Sequence, residues 1–174
     1  MALEGSIPQR DAFIVRRLRD AGAVIIGKAN MSEFASGVAR SSLGGQMRNP
    51  HDLTRTPLGS SGGTGISVAS AFAVAGIGTD TGGSIRNPSF TSGIVGLKPT
   101  HGLVSRTGII PLALSFDTPG PLARNVEDVA VMLNVLAAVD PTQPEARTSH
   151  HRSSRPAWGQ RRLTCEPGKF DRLS

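Results

Sequence analysis

The 174-residue sequence contains no tyrosine, one tryptophan and a single cysteine, Cys165. One cysteine excludes both an intrachain disulfide framework and a metal site built from several cysteines. The four histidines show no metal-ligand spacing apart from the adjacent pair His150 and His151. With aromatic residues at only 4%, the core must be built mainly from Ala, Val, Ile and Leu.

Long apolar runs are also absent. No stretch approaches the roughly 18 apolar residues that a membrane-spanning helix requires. The residues after Met1, ALEGSIPQRD, lack the basic start and apolar segment of a signal peptide. These features predict a cytoplasmic protein without a membrane partner.

The net charge of +6 is concentrated near one end of the chain. Residues 1–140 hold 12 Lys and Arg against 10 Asp and Glu, whereas residues 141–174 hold 7 against 3. The second segment has few aliphatic residues and no periodicity, which is typical of disorder. We therefore predict a domain over residues 1–140 and a basic, disordered tail over 141–174. The alternative is a basic arm, but we expect no nucleic-acid partner.

Apolar periodicity predicts an alternation of helices and short buried strands. The predicted helices cover residues 11–21, about 64–74 and 125–139, and the predicted strands cover 23–26, 75–79 and 93–97. Asp11 is the expected N-cap of the first helix, with Gly22 as its stop. Asn125 and Asp128 are arranged as a capping pair for the last helix. Such an alternation indicates the α/β class.

Serine and glycine cluster twice in the middle of the chain. The clusters are GSSGGTG at residues 59–65 and GTDTGGSIR at 78–86, and GLKPT follows at 96–100. Glycine permits positive φ angles and lets backbone N–H groups converge on one point. An acyl-transfer site needs that geometry to stabilise a developing oxyanion.

These clusters resemble those of the amidase signature family of serine amide hydrolases. The resemblance extends over about residues 3–140 and includes the flanking segments IPQRDAFIVRRLRDAGAVIIGKANMSEFASG, RNPHD and SRTGIIPLALSFDTPGPLARNVEDVA. It implies part of an α/β fold with a mixed sheet flanked by helices, truncated at both ends. It also implies hydrolysis of a small-molecule amide through a serine acyl-enzyme, with no metal or organic cofactor. The particular amide and the oligomeric state do not follow from the resemblance.

The resemblance assigns site residues motif by motif. Ser84 takes the place of the nucleophile, and Ser60 that of the bridging serine in a Ser-cisSer-Lys triad. The backbone of four residues would form the oxyanion hole: Thr81, Gly82, Gly83 and Ser84. A serine hydroxyl needs a base to take its proton, and a second hydroxyl can bridge because it both donates and accepts.

Two departures from the family pattern concern the triad and its loop. The family's lysine stands in a KDN-like motif, whereas no lysine precedes Lys28 here, and GKANMSEF is a different segment. We therefore expect weak or no hydrolysis by this chain, with a non-catalytic remnant or interaction fragment as the alternative. A component of an amidotransferase is a further possibility within the family. Leu58 stands where the family usually has another glycine.

Other motifs compete with this interpretation. Gly59, Ser61 and Gly63 fit the GxSxG nucleophile elbow, but the preceding HDLTRTPL is a poor strand and its only downstream histidine outside the tail is His101. Residues 22–28 match most of a phosphate loop, but Ala29 replaces the hydroxyl that should bind magnesium.

The charged residues within or near these motifs have a plainer interpretation. We expect Asp80, Arg86 and Asp117 to form ion pairs that fix the loops, and His101 to be a turn residue.

Overall fold

The computed structural model describes residues 4–36 and 38–143. In chain order its elements are α1 (Phe13–Asp20), a 3-10 turn (Glu33–Ala35), β1 (Arg40–Ser41), β2 (Gly45–Gln46), α2 (Gly62–Ala69), β3 (Ala75–Asp80), α3 (Arg86–Thr91), β4 (Val95–Gly96), β5 (Thr118–Ala123) and α4 (Val126–Leu136). The fold is α/β, as the sequence predicts. The strand pairings in this part of the chain are antiparallel.

The main sheet has the order β3-β5-β4, so β5 is its central strand. Two of the six residues of β5, Pro119 and Pro121, lack a backbone N–H, which is unusual for a central strand. The carbonyl oxygen of Pro121 accepts a hydrogen bond from the N–H of Leu97, at 3.0 Å. Because N–H and C=O of one residue point to the same neighbour in an antiparallel sheet, the missing donors face β4. The ladder between β5 and β3 is therefore preserved.

Helices α1 and α4 pack together beside this sheet and enclose the hydrophobic core. The core cluster consists of Phe13, Ile14, Leu18, Val104 and Leu136. The predicted cap of α4 is confirmed. The Asn125 side chain accepts from the Asp128 N–H at 2.7 Å and donates to its carboxylate at 2.9 Å.

Two predictions near the start of the chain are wrong. Asp11 does not cap α1, whose N-cap is Ala12; Asp11 instead pairs with Arg19 along the helix, at 2.9 Å. Residues 23–26 are not a buried strand among the described residues. They have no regular secondary structure and are exposed, with Val24 84% and Ile26 71% accessible. An apolar run alone does not say whether a neighbour covers it.

Boundaries elsewhere differ from the predictions by a few residues. Helix α2 ends at Ala69 rather than near 74, because Ala71 has a φ of 59°, outside the helical region. Strand 75–79 is confirmed as β3, whereas only Val95–Gly96 of the predicted strand 93–97 pair as β4. Most of the predicted tail lies outside the described residues. Of its first three residues, which are described, Gln143 accepts from the N–H of Arg106.

Candidate active site

The two Ser–Gly loops lie side by side. The N–H of Ser61 donates to the carbonyl oxygen of Ser84 at 3.2 Å. The Ser61 hydroxyl accepts from the N–H of Thr79 at 3.2 Å and lies 3.4 Å from its carbonyl oxygen, which fastens the first loop to β3. A side chain at Gly78 would collide with this hydroxyl, since an added Cβ would lie 2.6 Å from the Ser61 oxygen. The close approach of the loops therefore depends on glycine.

Ser60 is buried within the first loop. Its hydroxyl is inaccessible to solvent and has no hydrogen-bond partner among the described residues. Its carbonyl oxygen accepts from the N–H of Ser32 at 3.0 Å, and the Gly59–Ser60 peptide bond is cis. Leu58, just before the loop, has a φ of 56°, in the left-handed region that favours glycine.

The second loop is organised around Asp80, the last residue of β3. Its side chain is fully buried and accepts from three backbone N–H groups, those of Gly83 at 2.7 Å, Ile85 at 3.1 Å and Arg86 at 3.3 Å. Gly83 has a φ of 128°, which a residue with a Cβ rarely adopts. Residues 81–85 therefore wrap around one carboxylate.

Two cations also contact Asp80. Arg86 forms the predicted ion pair, with its Nε 3.1 Å from one carboxylate oxygen and its Nη2 3.1 Å from the other. The Nζ of Lys98 lies 3.3 Å from the carboxylate. Burial acts to raise the pKa of Asp80, but the hydrogen bonds from Arg86 and from the loop N–H groups outweigh it and hold the pKa well below its ordinary value. Asp80 is therefore ionised at neutral pH.

The carbonyl groups of the loop are anchored as well. The Thr81 oxygen accepts from Lys98 Nζ at 3.1 Å, and the Gly83 oxygen accepts from the N–H of Asn87 at 2.7 Å. Of the four residues predicted to form the oxyanion hole, Gly83 has its N–H engaged by Asp80. Within the part of the chain that the structure describes, the N–H groups of Gly82 and Ser84 donate no hydrogen bond.

Ser84 itself is half-buried, and its hydroxyl makes no hydrogen bond within residues 4–36 and 38–143. Neither His101 nor Lys28 forms a hydrogen bond with Ser84 in the described part of the chain. His101 Nε2 lies 3.0 Å from the carbonyl oxygen of Leu114, as befits a turn residue, and Lys28 is exposed in an irregular segment. Lys98 is the lysine that the structure brings beside the loop, and the sequence motif GLKPT did not by itself indicate that placement.

Next to the loop is a pocket of about 40 Å³. Its lining is mainly apolar, and the polar residues that line it are Thr79, Thr81, Arg106 and Asp117. The Asp117 carboxylate accepts from the Thr81 hydroxyl and from the N–H groups of Leu112 at 2.8 Å and Ala113 at 2.9 Å. Asp117 thus fixes two loops through hydrogen bonds. Burial acts to raise the pKa of Asp117, but these hydrogen bonds and the charge of Arg106 outweigh it and lower the pKa. No group of three or more metal-ligating side chains is present among the described residues.

The competing motifs lack their structural context in the described residues. Ser61 follows no strand, and residues 22–28 precede no helix of a phosphate loop. No helix in the described part of the chain combines the length and apolar character needed to cross a bilayer.

Comparison with known proteins gives a consistent result. A family model described as Amidase matches residues 1–162. The chain is 54% identical over 140 residues to the A subunit of glutamyl-tRNA(Gln) amidotransferase from Carboxydothermus hydrogenoformans, covering 80% of this chain and 29% of that protein.

Solved structures agree with that match. The native peptide amidase of Stenotrophomonas maltophilia superposes with a TM-score of 0.82 at 48% identity, covering 85% of this chain and 32% of that one. The A subunit of glutamyl-tRNA(Gln) amidotransferase from Thermotoga maritima gives a TM-score of 0.80 at 42% identity, covering 83% and 30%. The chain therefore spans about 30% of the length of the relatives it matches.

Proposed function

Because this chain belongs to the amidase family, we propose that it carries the nucleophile and the oxyanion-binding backbone of a site that hydrolyses the carbon–nitrogen bond of a small-molecule amide. One observation carries the proposal. A half-buried serine hydroxyl stands at a loop whose neighbouring N–H groups, those of Gly82 and Ser84, have no protein acceptor within the described residues. Donors arranged in this way are suited to a charge that develops during reaction.

The proposed reaction follows from these groups. The Ser84 oxygen attacks the amide carbon, and the carbonyl oxygen becomes an oxyanion held by the N–H groups of Gly82 and Ser84. As Ser84 gives its proton to the Ser60 hydroxyl, that hydroxyl passes its own proton to the amide nitrogen, so Ser60 stays neutral. The C–N bond then breaks, the amine leaves with a proton, and water hydrolyses the ester to regenerate Ser84. The buried Ser60 hydroxyl supports its role, because an unpaired buried hydroxyl carries a desolvation cost that a hydrogen bond to Ser84 would remove.

We further propose that turnover by this chain is slow. Among the described residues, no basic side chain bonds to the hydroxyl of Ser60 or Ser84, and Lys98 is committed to Thr81 and Asp80. Loss of one member of a coupled catalytic set commonly costs several orders of magnitude in rate. Acylation by a strongly activated reagent depends less on a base, and it is therefore the suitable test.

A second candidate is a role within an aminoacyl-tRNA amidotransferase. The observation that favours it is the name of relatives 49–55% identical to this chain, each an A subunit of glutamyl-tRNA(Gln) amidotransferase. Such a role would make the chain part of a complex and glutamine its amide. Release of glutamate from glutamine, dependent on Ser84, would support this candidate over hydrolysis of a free amide.

The proposal is tested with an aryl fluorophosphonate on the purified chain. In this reaction the serine oxygen forms a bond to phosphorus, fluoride leaves, and the serine proton passes to solvent. We expect peptide mass spectrometry to locate the adduct on Ser84 and Ser84→Ala to abolish it, while Ser61→Ala labels normally. An adduct on Ser61 would favour the nucleophile-elbow alternative, and an absence of adduct would favour a non-catalytic remnant.

A further inference from the structure

We infer that Lys98 is a positioning residue that aims the N–H of Gly82 at the oxyanion, an inference that rests on the function proposed above. Lys98 follows β4 in the chain, and its side chain is 24% exposed. Its Nζ donates to the carbonyl oxygen of Thr81 at 3.1 Å and lies 3.3 Å from the Asp80 carboxylate. It therefore approaches the loop from the side that holds Asp80.

The direction of the Gly82 N–H follows from this contact. The Thr81–Gly82 peptide is trans, since the cis bond found in the described chain is Gly59–Ser60. In a planar trans peptide the C=O and N–H groups point in opposite directions. When Lys98 holds the Thr81 oxygen on one side, the N–H of Gly82 must face the other side, away from Asp80.

The same arrangement recurs two residues further along the loop. The Gly83 oxygen is held by the N–H of Asn87, so the N–H of Ser84 also points away from its anchor. The Ser84 carbonyl is also anchored, by the N–H of Ser61, but the N–H that follows it, that of Ile85, donates to Asp80. Gly82 and Ser84 are thus the loop residues that follow an anchored carbonyl and whose own N–H groups donate no hydrogen bond among the described residues. The anchors differ in charge, because Asn87 offers a neutral amide whereas Lys98 offers an ammonium. A cation at the carbonyl oxygen draws electron density toward it and makes the N–H of the same peptide a stronger donor.

The need to neutralise the charge of Asp80 does not explain why Lys98 lies beside the loop. Asp80 already has two hydrogen bonds from Arg86 and three from backbone N–H groups of the loop. An acceptor so fully satisfied needs no second cation. Within the described residues, the contact that distinguishes Lys98 from Arg86 is the one to Thr81.

The experiment compares Lys98→Met, which removes donor and charge, with Lys98→Arg, which keeps both. Lys28→Met is the matched control, because Lys28 is exposed and lies in an irregular segment outside the loop. Labelling of Ser84 by an aryl fluorophosphonate is followed against reagent concentration, giving a limiting rate and a half-saturating concentration. The amide resonance of Gly82 is recorded for each variant by proton–nitrogen NMR.

We expect Lys98→Met to lower the limiting rate at least about tenfold and to leave the half-saturating concentration unchanged. Complete loss of an oxyanion donor costs roughly 100-fold or more, and misdirection of the Gly82 N–H should cause part of that loss. Its Gly82 resonance should move, whereas Lys98→Arg should return the resonance and bring the rate to within about threefold of the native chain. Lys28→Met should change neither. A native limiting rate in Lys98→Met, or a change confined to the half-saturating concentration, would overturn the inference.

Two further outcomes keep the tests separate. If Lys98→Met does not fold, Lys98→Leu, which likewise offers no donor, replaces it. A native rate in that variant overturns the inference, and a slower rate with a shifted Gly82 resonance supports it. If the native chain is not labelled at Ser84, the proposed function fails. The Gly82 resonance then still decides the positioning role of Lys98, because an unmoved resonance in Lys98→Met overturns it.

Discussion

Ser61 donates its backbone N–H to the carbonyl oxygen of Ser84 at 3.2 Å. This hydrogen bond joins two loops that are 23 positions apart in the sequence, and it leaves the neighbouring Ser60 hydroxyl buried without a partner among the described residues. Adjacent serines of one motif thus have different environments. Substitution of one serine should therefore affect mainly the stability of the protein, and substitution of the other mainly the reactivity of Ser84.

Ser60→Ala should leave stability unchanged or slightly higher and should slow the labelling of Ser84. The hydroxyl is buried and unpaired among the described residues, so its removal eliminates a desolvation cost without breaking a hydrogen bond. Removal of the proposed proton bridge should lower the phosphonate labelling rate. Urea unfolding and the labelling rate are the two measurements, and a large loss of stability with native labelling would contradict the assignment.

Ser61→Ala should show the converse. Its hydroxyl is hydrogen-bonded to the N–H of Thr79, so truncation should lower the free energy of unfolding by about 1–2 kcal/mol. The labelling rate of Ser84 should stay within about twofold of the native chain. The Ser60 variant serves as its matched control, since the two positions are adjacent and the substitutions are chemically identical.

Asp80→Asn should lower the free energy of unfolding by about 3 kcal/mol or more. The carboxylate is fully buried, and its replacement by an amide leaves the charges of Arg86 and Lys98 without their counter-ion. The NH₂ group of the new amide would also face a backbone N–H of the loop, so that two donors meet. Urea unfolding measures the loss. Asp52→Asn is the control, because the Asp52–Arg55 pair lies in solvent and its loss should be barely measurable. Equal effects at the two positions would contradict the organising role of Asp80.

Asp140 should make stability depend on acid pH. Burial acts to raise its pKa, but hydrogen bonds from the hydroxyls of Ser105, Thr107 and Thr142 outweigh this and lower the pKa from 3.8 to about 2. A depressed folded-state pKa stabilises the protein above pH 3.8, and the benefit disappears as the pH falls through about 2. Its size is about 2 kcal/mol.

The test of this pH dependence compares the native chain with Asp140→Asn by urea unfolding at about pH 6 and about pH 2. At the higher pH the native chain should be more stable than Asp140→Asn. This difference in stability between the two chains should shrink at the lower pH, as Asp140 becomes protonated. A difference that is the same at both pH values would mean that the loss is one of shape rather than of charge.

Gly63→Ala should destabilise the start of α2. An added Cβ would lie 2.1 Å from the carbonyl oxygen of Asn30, a backbone atom that has little freedom to move. We expect a loss of about 2 kcal/mol or more in the free energy of unfolding. Gly27→Ala is the matched control, because an added Cβ there meets nothing within 4 Å and its stability should stay within about 0.5 kcal/mol of the native chain.

Local chemistry determined the parts of the fold that the sequence predicted well. The Asn125 cap depends on a side chain and an N–H three residues apart, and β3 depends on an apolar run bounded by turn residues. Burial is not local. The run at 23–26 has the composition of a buried strand, yet its exposure depends on elements distant in sequence. Strand β5 escaped prediction because two prolines in six residues argue against a central strand.

The candidate site follows the same division. Serine and glycine motifs indicated which residues could be reactive, and the structure brings the loops of Ser60 and Ser84 together through the Ser61 hydrogen bond. The use of each N–H could not be predicted, because it depends on where the Asp80 carboxylate lies. Gly83 resembles its neighbours in sequence but differs from them in having its N–H bound to that carboxylate. Lys98 likewise gains its position from the path of β4.

The prolines of β5 also affect how the chain behaves before it is folded. Segments that stack into amyloid-like fibrils need a donor at nearly every residue, and proline supplies none. Thr118–Ala123 forms the centre of the sheet, so it is a segment whose exposure during synthesis would otherwise invite pairing between chains. With Pro119 and Pro121 in place, one flank of the segment cannot donate to a copy of itself at those positions. The central strand of the native sheet, β5, is therefore a poor template for aggregation.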